Sequence, residues 1–314
     1  MPKSNSISRV RSSRSGIVAL IVLALVYSLT AMMGRYFAQE VGIFKAWSIC
    51  FAVSTVFTAI VFYKKIDFKK FMSIGKRDLF LIVFRGLAAS LFATLLYTLA
   101  TKHASIGAVT AMQVVPITAV FGVLILGESL SKRKFAMIAL AFVGALMIAL
   151  RSVGDIGFGI GETLALAASS LFALSFVLRG LQTDRFNDFE LALATTIVAF
   201  LGNYIFAGVF EQSWLVDLSQ FSSSQILIFL FGGSAVALTF TLSNYGLNKT
   251  HATTANVILS LELVFGAVIG FLFYGEILSP LQFIGAAIIL VAVMGMSYLE
   301  TRNPSARENK KAVR

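Results

Sequence analysis

Charged side chains are scarce in this 314-residue sequence. They make up 13% of it, while 58% of the residues are hydrophobic. A soluble domain carries about 25% charged residues, so this chain cannot cover its own surface with polar groups. The composition excludes an ordinary soluble domain and indicates that lipid surrounds most of the protein.

Cysteine and histidine are also scarce, which limits the chemistry available. The single cysteine, Cys50, excludes an internal disulfide bond, and with two histidines the chain cannot build a zinc site without carboxylate ligands. The sequence contains no Gly-x-x-x-x-Gly-Lys-Ser/Thr motif for an ATP-driven pump. We therefore predict no metal site, no cofactor and no enzymatic activity.

Long apolar runs take the place of the missing charges. About 20 apolar residues in a helix cross a bilayer core of roughly 30 Å, and the sequence contains ten such runs. The predicted helices 1 to 10 cover, in order, residues 16–37, 43–63, 79–100, 105–126, 134–151, 158–178, 189–210, 225–246, 252–273 and 280–299. We predict an all-α membrane protein with ten transmembrane helices and polar tails at 1–14 and 301–314.

Lysine and arginine are concentrated in alternate connections between these helices. The set that includes both tails holds 21 of the 26 basic residues, the other set holds four, and Arg85 lies within helix 3. Because basic residues accumulate on the cytoplasmic side, this split predicts both termini in the cytoplasm of a bacterial inner membrane. It also explains the net charge of +11 without a nucleic-acid partner.

The sequence repeats itself after 148 positions. Residues 127–131 read GESLS and 275–279 read GEILS, while YTLATKHAS at 97–105 aligns with YGLNKTHAT at 245–253. Each repeat, 15–151 and 152–300, contains five predicted helices. Because five is odd, the second repeat enters the membrane from the opposite side, an arrangement that suits alternating access around a site near the midplane.

The inverted repeat places the two Gly-Glu pairs at opposite faces, Gly127 and Glu128 toward the cytoplasm and Gly275 and Glu276 toward the outside. Glycine commonly ends a helix, so a simple helix end at the interface is the favoured interpretation. Gating contacts at alternate ends of the molecule are the alternative.

With these features the chain resembles the drug/metabolite transporter superfamily, in its ten-helix EamA-type branch. The resemblance covers about residues 15–300 and depends on the five-plus-five duplication, the chain length and the Gly-Glu-x-Leu-Ser ends of helices 4 and 9. It implies a substrate cavity between helices 1, 3, 4, 6, 8 and 9, with helices 5 and 10 at the periphery. Such proteins move amino acids, nucleosides, vitamins, polyamines and S-adenosylmethionine, so the resemblance leaves the substrate open.

Two ionisable residues lie inside predicted helices, where a charge at the bilayer centre costs at least ~2.5–3.5 kcal/mol. Glu262 is near the middle of helix 9, and we predict that it lines the cavity, attracts an amine or sulfonium and is a candidate proton site. A hydrogen bond to another helix is the alternative. Arg85 follows the predicted start of helix 3 by six residues. It either reaches the inner headgroups or pairs with a substrate carboxylate or with Glu262.

Several uncharged polar residues and one proline complete the candidate substrate site. They are Gln113, Asn244, Asn256, Tyr97, Tyr245 and Pro116. Bonds between helices are the commoner role of such amides, and interface anchoring is an alternative for the two tyrosines. Pro116 leaves preceding backbone carbonyls without helical partners, which predicts a weak point in helix 4 where the carrier bends or binds, with a static kink as the alternative.

Small residues recur in helices 5 and 10. They are Ala141, Gly144 and Ala145 in helix 5, and Gly285, Ala286, Ala287, Ala292 and Gly295 in helix 10. Such residues permit close approach of two helices, either within the chain or between two copies in a homodimer.

Together these features predict a secondary transporter for a small polar or amphipathic metabolite, an amino acid or another amine-bearing compound, with export favoured over import. Importers of S-adenosylmethionine or riboflavin-type vitamins in the same family are alternatives. A channel, or a membrane partner that transports nothing, is the alternative of another class. The predicted partners are the lipid bilayer, the small-molecule substrate and protons.

Overall fold

A computed structural model describes residues 14–104, 106–149, 159–214, 218–275 and 277–302. Most of both predicted polar tails, Arg151 and Glu276 lie outside the described residues. Statements below about which elements and contacts are present refer to the described part of the chain.

The described residues form fourteen α-helices and no strand. The helices are α1 (Arg14–Glu40), α2 (Ile43–Val61), α3 (Lys69–Met72), α4 (Lys76–Leu87), α5 (Thr94–His103), α6 (Ile106–Gln113), α7 (Ile117–Leu126), α8 (Lys132–Ala149), α9 (Ile160–Leu178), α10 (Asp188–Phe210), α11 (Ser223–Lys249), α12 (Ala252–Leu259), α13 (Leu261–Tyr274) and α14 (Pro280–Arg302). A π-helical turn, Ala88–Ala93, joins α4 to α5.

Three predicted helices are each built from two α-helices. Helix 3 corresponds to α4 and α5, helix 4 to α6 and α7, and helix 9 to α12 and α13, while α3 is a short element between spans. The described chain therefore makes ten apolar helical segments, as the sequence predicts. Seven helices are long and apolar enough to cross a membrane, and Arg14–Thr30 and Ile117–Leu126 are shorter apolar stretches. The prediction of an all-α membrane protein with two inverted five-helix repeats is confirmed.

The largest apolar core joins the two repeats. It contains Leu20 and Leu23 of α1, Ala141 of α8, Ile258 of α12 and Ile289 of α14. Large apolar side chains such as Leu227, Phe271 and Phe283 instead project from the periphery, where they are more than half exposed. A bilayer suits such a surface because lipid tails are themselves apolar.

The small residues of predicted helices 5 and 10 pack against each other within the chain. A Cβ atom on Gly144 of α8 would lie 2.7 Å from the carbonyl oxygen of Gly285 in α14, and a Cβ on Gly285 would lie 2.6 Å from that of Gly144. Ala141, Ala145 and Ala292 are buried beside them. Close packing of α8 on α14 therefore accounts for these five residues, whereas Ala287 is exposed and the homodimer stays a prediction.

We expect Gly144→Ala to lower stability by about 1–3 kcal/mol, because the added methyl group overpacks the contact between α8 and α14. Thermal unfolding of the purified protein in detergent measures the change. Gly266→Ala is the matched control in α13, since its Cβ would meet Ser28 Cβ at an ordinary 4.0 Å. Equal melting temperatures for the two variants would contradict this account of the packing.

Candidate functional site

The segment from α6 to α7 is interrupted at Pro116. α6 ends at Gln113 and α7 begins at Ile117, because proline has no N–H to continue the helical hydrogen-bond ladder. The hydroxyl of Ser169 in α9 donates to the Gln113 carbonyl at 3.3 Å. A neighbouring helix thus supplies the partner that the break removes.

A second interruption lies at Ser260, between α12 and α13. The Ser260 hydroxyl donates to the Val257 carbonyl at 2.6 Å, and the backbone forms tighter three-residue bonds there, from Ser260 N to Val257 O and from Leu263 N to Ser260 O. Serine can draw the backbone away from α-helical pairing in this way. Under the 148-residue repeat, Ser260 aligns with Met112, so both repeats break one span at nearly mirrored depths.

The π-helical turn between α4 and α5 is a third departure from regular α-helix. Its Ser90 carbonyl accepts a hydrogen bond from Asn203 Nδ2 of α10 at 3.1 Å. Turns of this kind occur often at functional sites. The Nδ2 group of the buried Asn203 therefore stabilises an irregular backbone.

Glu262 lies in the first turn of α13, directly after the break at Ser260. Its side chain is half-buried, and no hydrogen bond or ion pair joins its carboxylate to another described residue. The hydroxyls of Tyr27 in α1 and Tyr97 in α5 lie within electrostatic range of it. The N-terminal end of a helix carries partial positive charge, which favours a carboxylate at this position.

Other carboxylates in the described structure, buried or half-buried, have close partners. Glu190 accepts from the backbone N–H groups of Asp67 and Asn187 at 3.0 and 2.8 Å. Glu211 accepts from those of Phe44 and Lys45 at 2.9 and 2.8 Å. Glu262 differs from these groups because no described residue donates a hydrogen bond to its carboxylate or forms an ion pair with it.

Arg85 is buried, with 4% of its surface exposed, and its guanidinium is bound by neutral acceptors. Nε donates to the Ser175 carbonyl at 2.9 Å, Nη1 to Gln182 Oε1 at 2.6 Å and Nη2 to Asn244 Oδ1 at 3.0 Å. These bonds tie α4 to α9, to α11 and to the segment after α9. The sequence suggested that Arg85 reaches the inner headgroups or pairs with Glu262. In the structure it does neither.

The remaining sequence candidates divide between the breaks and one end of the bundle. Gln113 and Asn256 are half-buried beside the two interruptions. The amide of Asn244 is occupied by Arg85 and by the Phe240 carbonyl. Tyr245 accepts from Lys249 Nζ at 2.7 Å and donates to Ser15 at 3.0 Å, at the end of α11. Tyr245 therefore lies at a helix end, away from Glu262.

Tyr27 and Ser260 are residues of this region that the sequence reading missed. A tyrosine in the middle of predicted helix 1 was a visible signal for Tyr27, because its hydroxyl needs a partner in lipid. Ser260 carries no comparable signal, since serine is common in helices that break nowhere. Only its alignment with the Pro116 region of the other repeat points to it.

The fold and this interior define a multi-pass membrane protein of two related halves, with interrupted helices and a half-buried acid, Glu262, that no described residue pairs with. The EamA-like transporter family matches residues 14–150 and again residues 159–298. The chain belongs to this family and is a membrane transporter, which confirms the resemblance drawn from the sequence.

Individual relatives are similar over much or part of the chain. An uncharacterized transporter of Archaeoglobus fulgidus is 26% identical over 283 residues, which cover 89% of this chain and 85% of that protein. The uncharacterized membrane protein YvaE of Bacillus subtilis is 28% identical over 94 residues, 30% of this chain and 76% of that protein. A solved crystal structure matches with a TM-score of 0.74 at 16% identity, covering 92% of this chain and 99% of that one. That last likeness shows the fold alone.

We expect Asn244→Leu to destabilise the protein by about 1–3 kcal/mol, because Arg85 Nη2 would lose its acceptor inside the bundle. Thermal unfolding in detergent again measures the effect. Asn256→Leu is the control, an asparagine on the next helix that does not bond to Arg85. If Asn244→Leu were no more harmful than Asn256→Leu, Arg85 would not depend on the tie to α11.

Proposed function

We propose that the protein is a secondary transporter that moves a small amine-bearing metabolite, such as an amino acid, by alternating access, with export favoured over import. Glu262 binds the amine in this proposal. The supporting observation is its half-buried carboxylate, which has no cationic or hydrogen-bonding partner among the described residues. An ionised group inside a bilayer needs a counter-charge or water, and a substrate ammonium group supplies that charge.

The interrupted helices support this location for the substrate. Transporters place substrate sites where discontinuous helices meet near the bilayer midplane, since half-helix ends present unpaired backbone groups there. Glu262 belongs to one such end, and Gln113 ends the half-helix α6 in the other repeat. The hydroxyls of Tyr27 and Tyr97 lie within electrostatic range of the carboxylate, and an aromatic ring can attract a cation with its face.

Arg85 supports recognition of an amine more than recognition of a carboxylate. Nε, Nη1 and Nη2 each donate to a neutral protein acceptor, so the guanidinium is already committed to structure. An amino acid would then bind chiefly through its ammonium group. Simple amines fit the same requirement.

Protons are the proposed coupling ion, because one carboxylate can hold a proton or an ammonium group but not both. Proton entry from one side then displaces the substrate to that side, which gives antiport and favours export. In this scheme Glu262 carries the whole exchange. Arg85 and Asn244 hold the surrounding helices in position.

We further propose that both termini lie in the cytoplasm of a bacterial inner membrane. The basic segment 64–78 is bound to the segment after α9, since Arg77 Nη2 donates to the Leu181 carbonyl at 3.0 Å and Arg185 Nη2 to Ser73 at 2.5 Å. Tyr245 and Lys249 lie beside Ser15 at the start of α1. Basic segments on a shared face support a cytoplasmic assignment for that face.

We expect Glu262→Gln to reduce substrate counterflow in proteoliposomes by at least about tenfold, since a charge-assisted bond of about 1.5–3 kcal/mol is lost. Radiolabelled amino acids and simple amines serve as the probes, first screened with the parent protein. The pH dependence of counterflow should disappear in the same variant. Its melting temperature should stay equal or rise, because an unpaired charge leaves the interior.

Glu162→Gln is the matched control for this experiment. Glu162 is also buried, but its carboxylate accepts from the backbone N–H of Gly159 at 2.9 Å and caps its own helix, α9. Unchanged counterflow and unchanged pH dependence in Glu262→Gln would remove Glu262 from the mechanism. Unitary currents without counterflow would favour a channel instead.

A further inference from the structure

We propose that Glu128 is a conformational latch, which holds one face of the transporter closed and must release before that face opens. The inference presumes the alternating access proposed above. Glu128 follows α7 and is 5% exposed. Its Oε1 accepts from the backbone N–H of Ala252 at 2.7 Å, and its Oε2 accepts from that of Thr253 at 2.9 Å.

The latch supplies a helix cap from another helix. The first N–H groups of a helix have no partner in that helix and are usually capped by the residue just before it. The residue before α12, His251, makes no such side-chain cap. Glu128 provides it instead, and a carboxylate at a helix N-terminus is favourable for charge as well as for hydrogen bonding.

The contact crosses between the two repeats. Glu128 belongs to the first matched region, 14–150, and Ala252 to the second, 159–298. In alternating access the two halves move against each other, so contacts between the halves at one face break while contacts within each half persist. Glu162 on Gly159 is, by comparison, a cap within one helix.

The local backbone is shaped for this contact. Gly127 has φ +65°, and Glu128 N donates to the Gly122 carbonyl at 3.2 Å, which turns the chain back over the end of α7. A Cβ on Gly122 would lie 3.1 Å from Glu128 Oε2 and 3.2 Å from Ala252 Cβ. Gly122 therefore allows α7 and α12 to approach closely enough for the carboxylate to bridge them.

The half-helices that the repeat relates to α7 and α12 do not pack on each other in the same way. The repeat relates α7 to α13 and α12 to α6, so the pair α6 and α13 is the counterpart of α7 and α12. α7 packs on α12, whereas α6 and α13 have at most marginal contact among the described residues. The structure is therefore asymmetric, with the face at Glu128 closed at the boundary between repeats.

A second carboxylate holds the same end of α12 without bonding to α7. Glu300 of α14 bonds to His251, to Thr254 Oγ1 at 2.8 Å and to Lys134 Nζ of α8 at 2.9 Å. α12 thus has one anchor on α14, in its own repeat, and one on α7, in the other. Release of Glu128 would remove these hydrogen bonds between the end of α7 and α12 and leave α12 attached to α14.

Cysteine labelling at two mirrored positions tests the latch. In a Cys50→Ala background, single cysteines replace Ala119 of α7 or Ala267 of α13, which the repeat aligns. Labelling by a membrane-impermeant maleimide is measured from each side of sealed vesicles. We expect Glu128→Gln and Glu128→Ala to raise labelling at 119 by about tenfold and to lower it at 267. If Glu128 only stabilised α12 as a cap, its loss would leave labelling at position 267 unchanged. A fall in labelling at 267 together with a rise at 119 therefore identifies the latch.

Two further variants make the outcome decisive. Glu162→Gln should change labelling at neither position, because its contact lies within α9. Gly122→Leu should drive α7 from α12 and give the reciprocal pattern by steric force. If Gly122→Leu gives that pattern and the Glu128 variants do not, the latch is overturned while alternating access stands. If no variant gives the reciprocal labelling pattern, alternating access itself is overturned. If the Glu128 variants increase labelling at both positions, the structure has loosened generally, and the latch is overturned as well. A cooperative thermal unfolding transition in detergent shows that each variant is folded.

Discussion

The hydrocarbon core of a bilayer offers no water to a backbone N–H or carbonyl group, so irregular backbone is tolerated there only where protein or a wet cavity satisfies it. Much of this structure follows from that constraint. Ser169 bonds to the carbonyl that ends α6, and Asn203 bonds to a carbonyl of the π-helical turn. Two of the three interruptions thus bind a neighbouring helix, whereas the one at Ser260 is satisfied within its own span.

The same constraint separates the acidic residues into two groups. Glu128, Glu190, Glu211 and Glu300 each occupy N–H groups or cations near helix ends and stabilise contacts between elements. Glu262 has no such contact in the described structure. In our proposals the first group stabilises contacts between elements, Glu128 also releases during transport, and Glu262 binds the substrate.

Polar side chains that look alike in the sequence have different roles for this reason. Arg85 and Glu262 are both ionisable residues inside predicted membrane helices, and the sequence allows an ion pair between them. Folding instead gives Arg85 three neutral acceptors from elements 90 to 159 positions away along the chain. Such partners are set by the packing of α9 and α11 on α4, which no local pattern encodes. Tyr97 and Tyr245 likewise align in the repeat, yet one lies near Glu262 and the other at a helix end beside Ser15.

The sequence by itself determined the membrane class, the number of helical segments, the inverted repeat and the family. Apolar run length and a five-helix duplication are properties of the chain alone and need no knowledge of contacts. It also located the break at Pro116, since proline lacks the N–H wherever it lies. Only the tertiary structure decided that Ser260 breaks the other repeat, that Arg85 is bound by neutral groups and that Glu128 caps α12. The physical reason is that hydrogen-bond partners inside a bundle come from helices distant in sequence. Which helix lies beside a polar residue decides whether that residue stabilises a contact between helices or keeps its polar group without a protein partner.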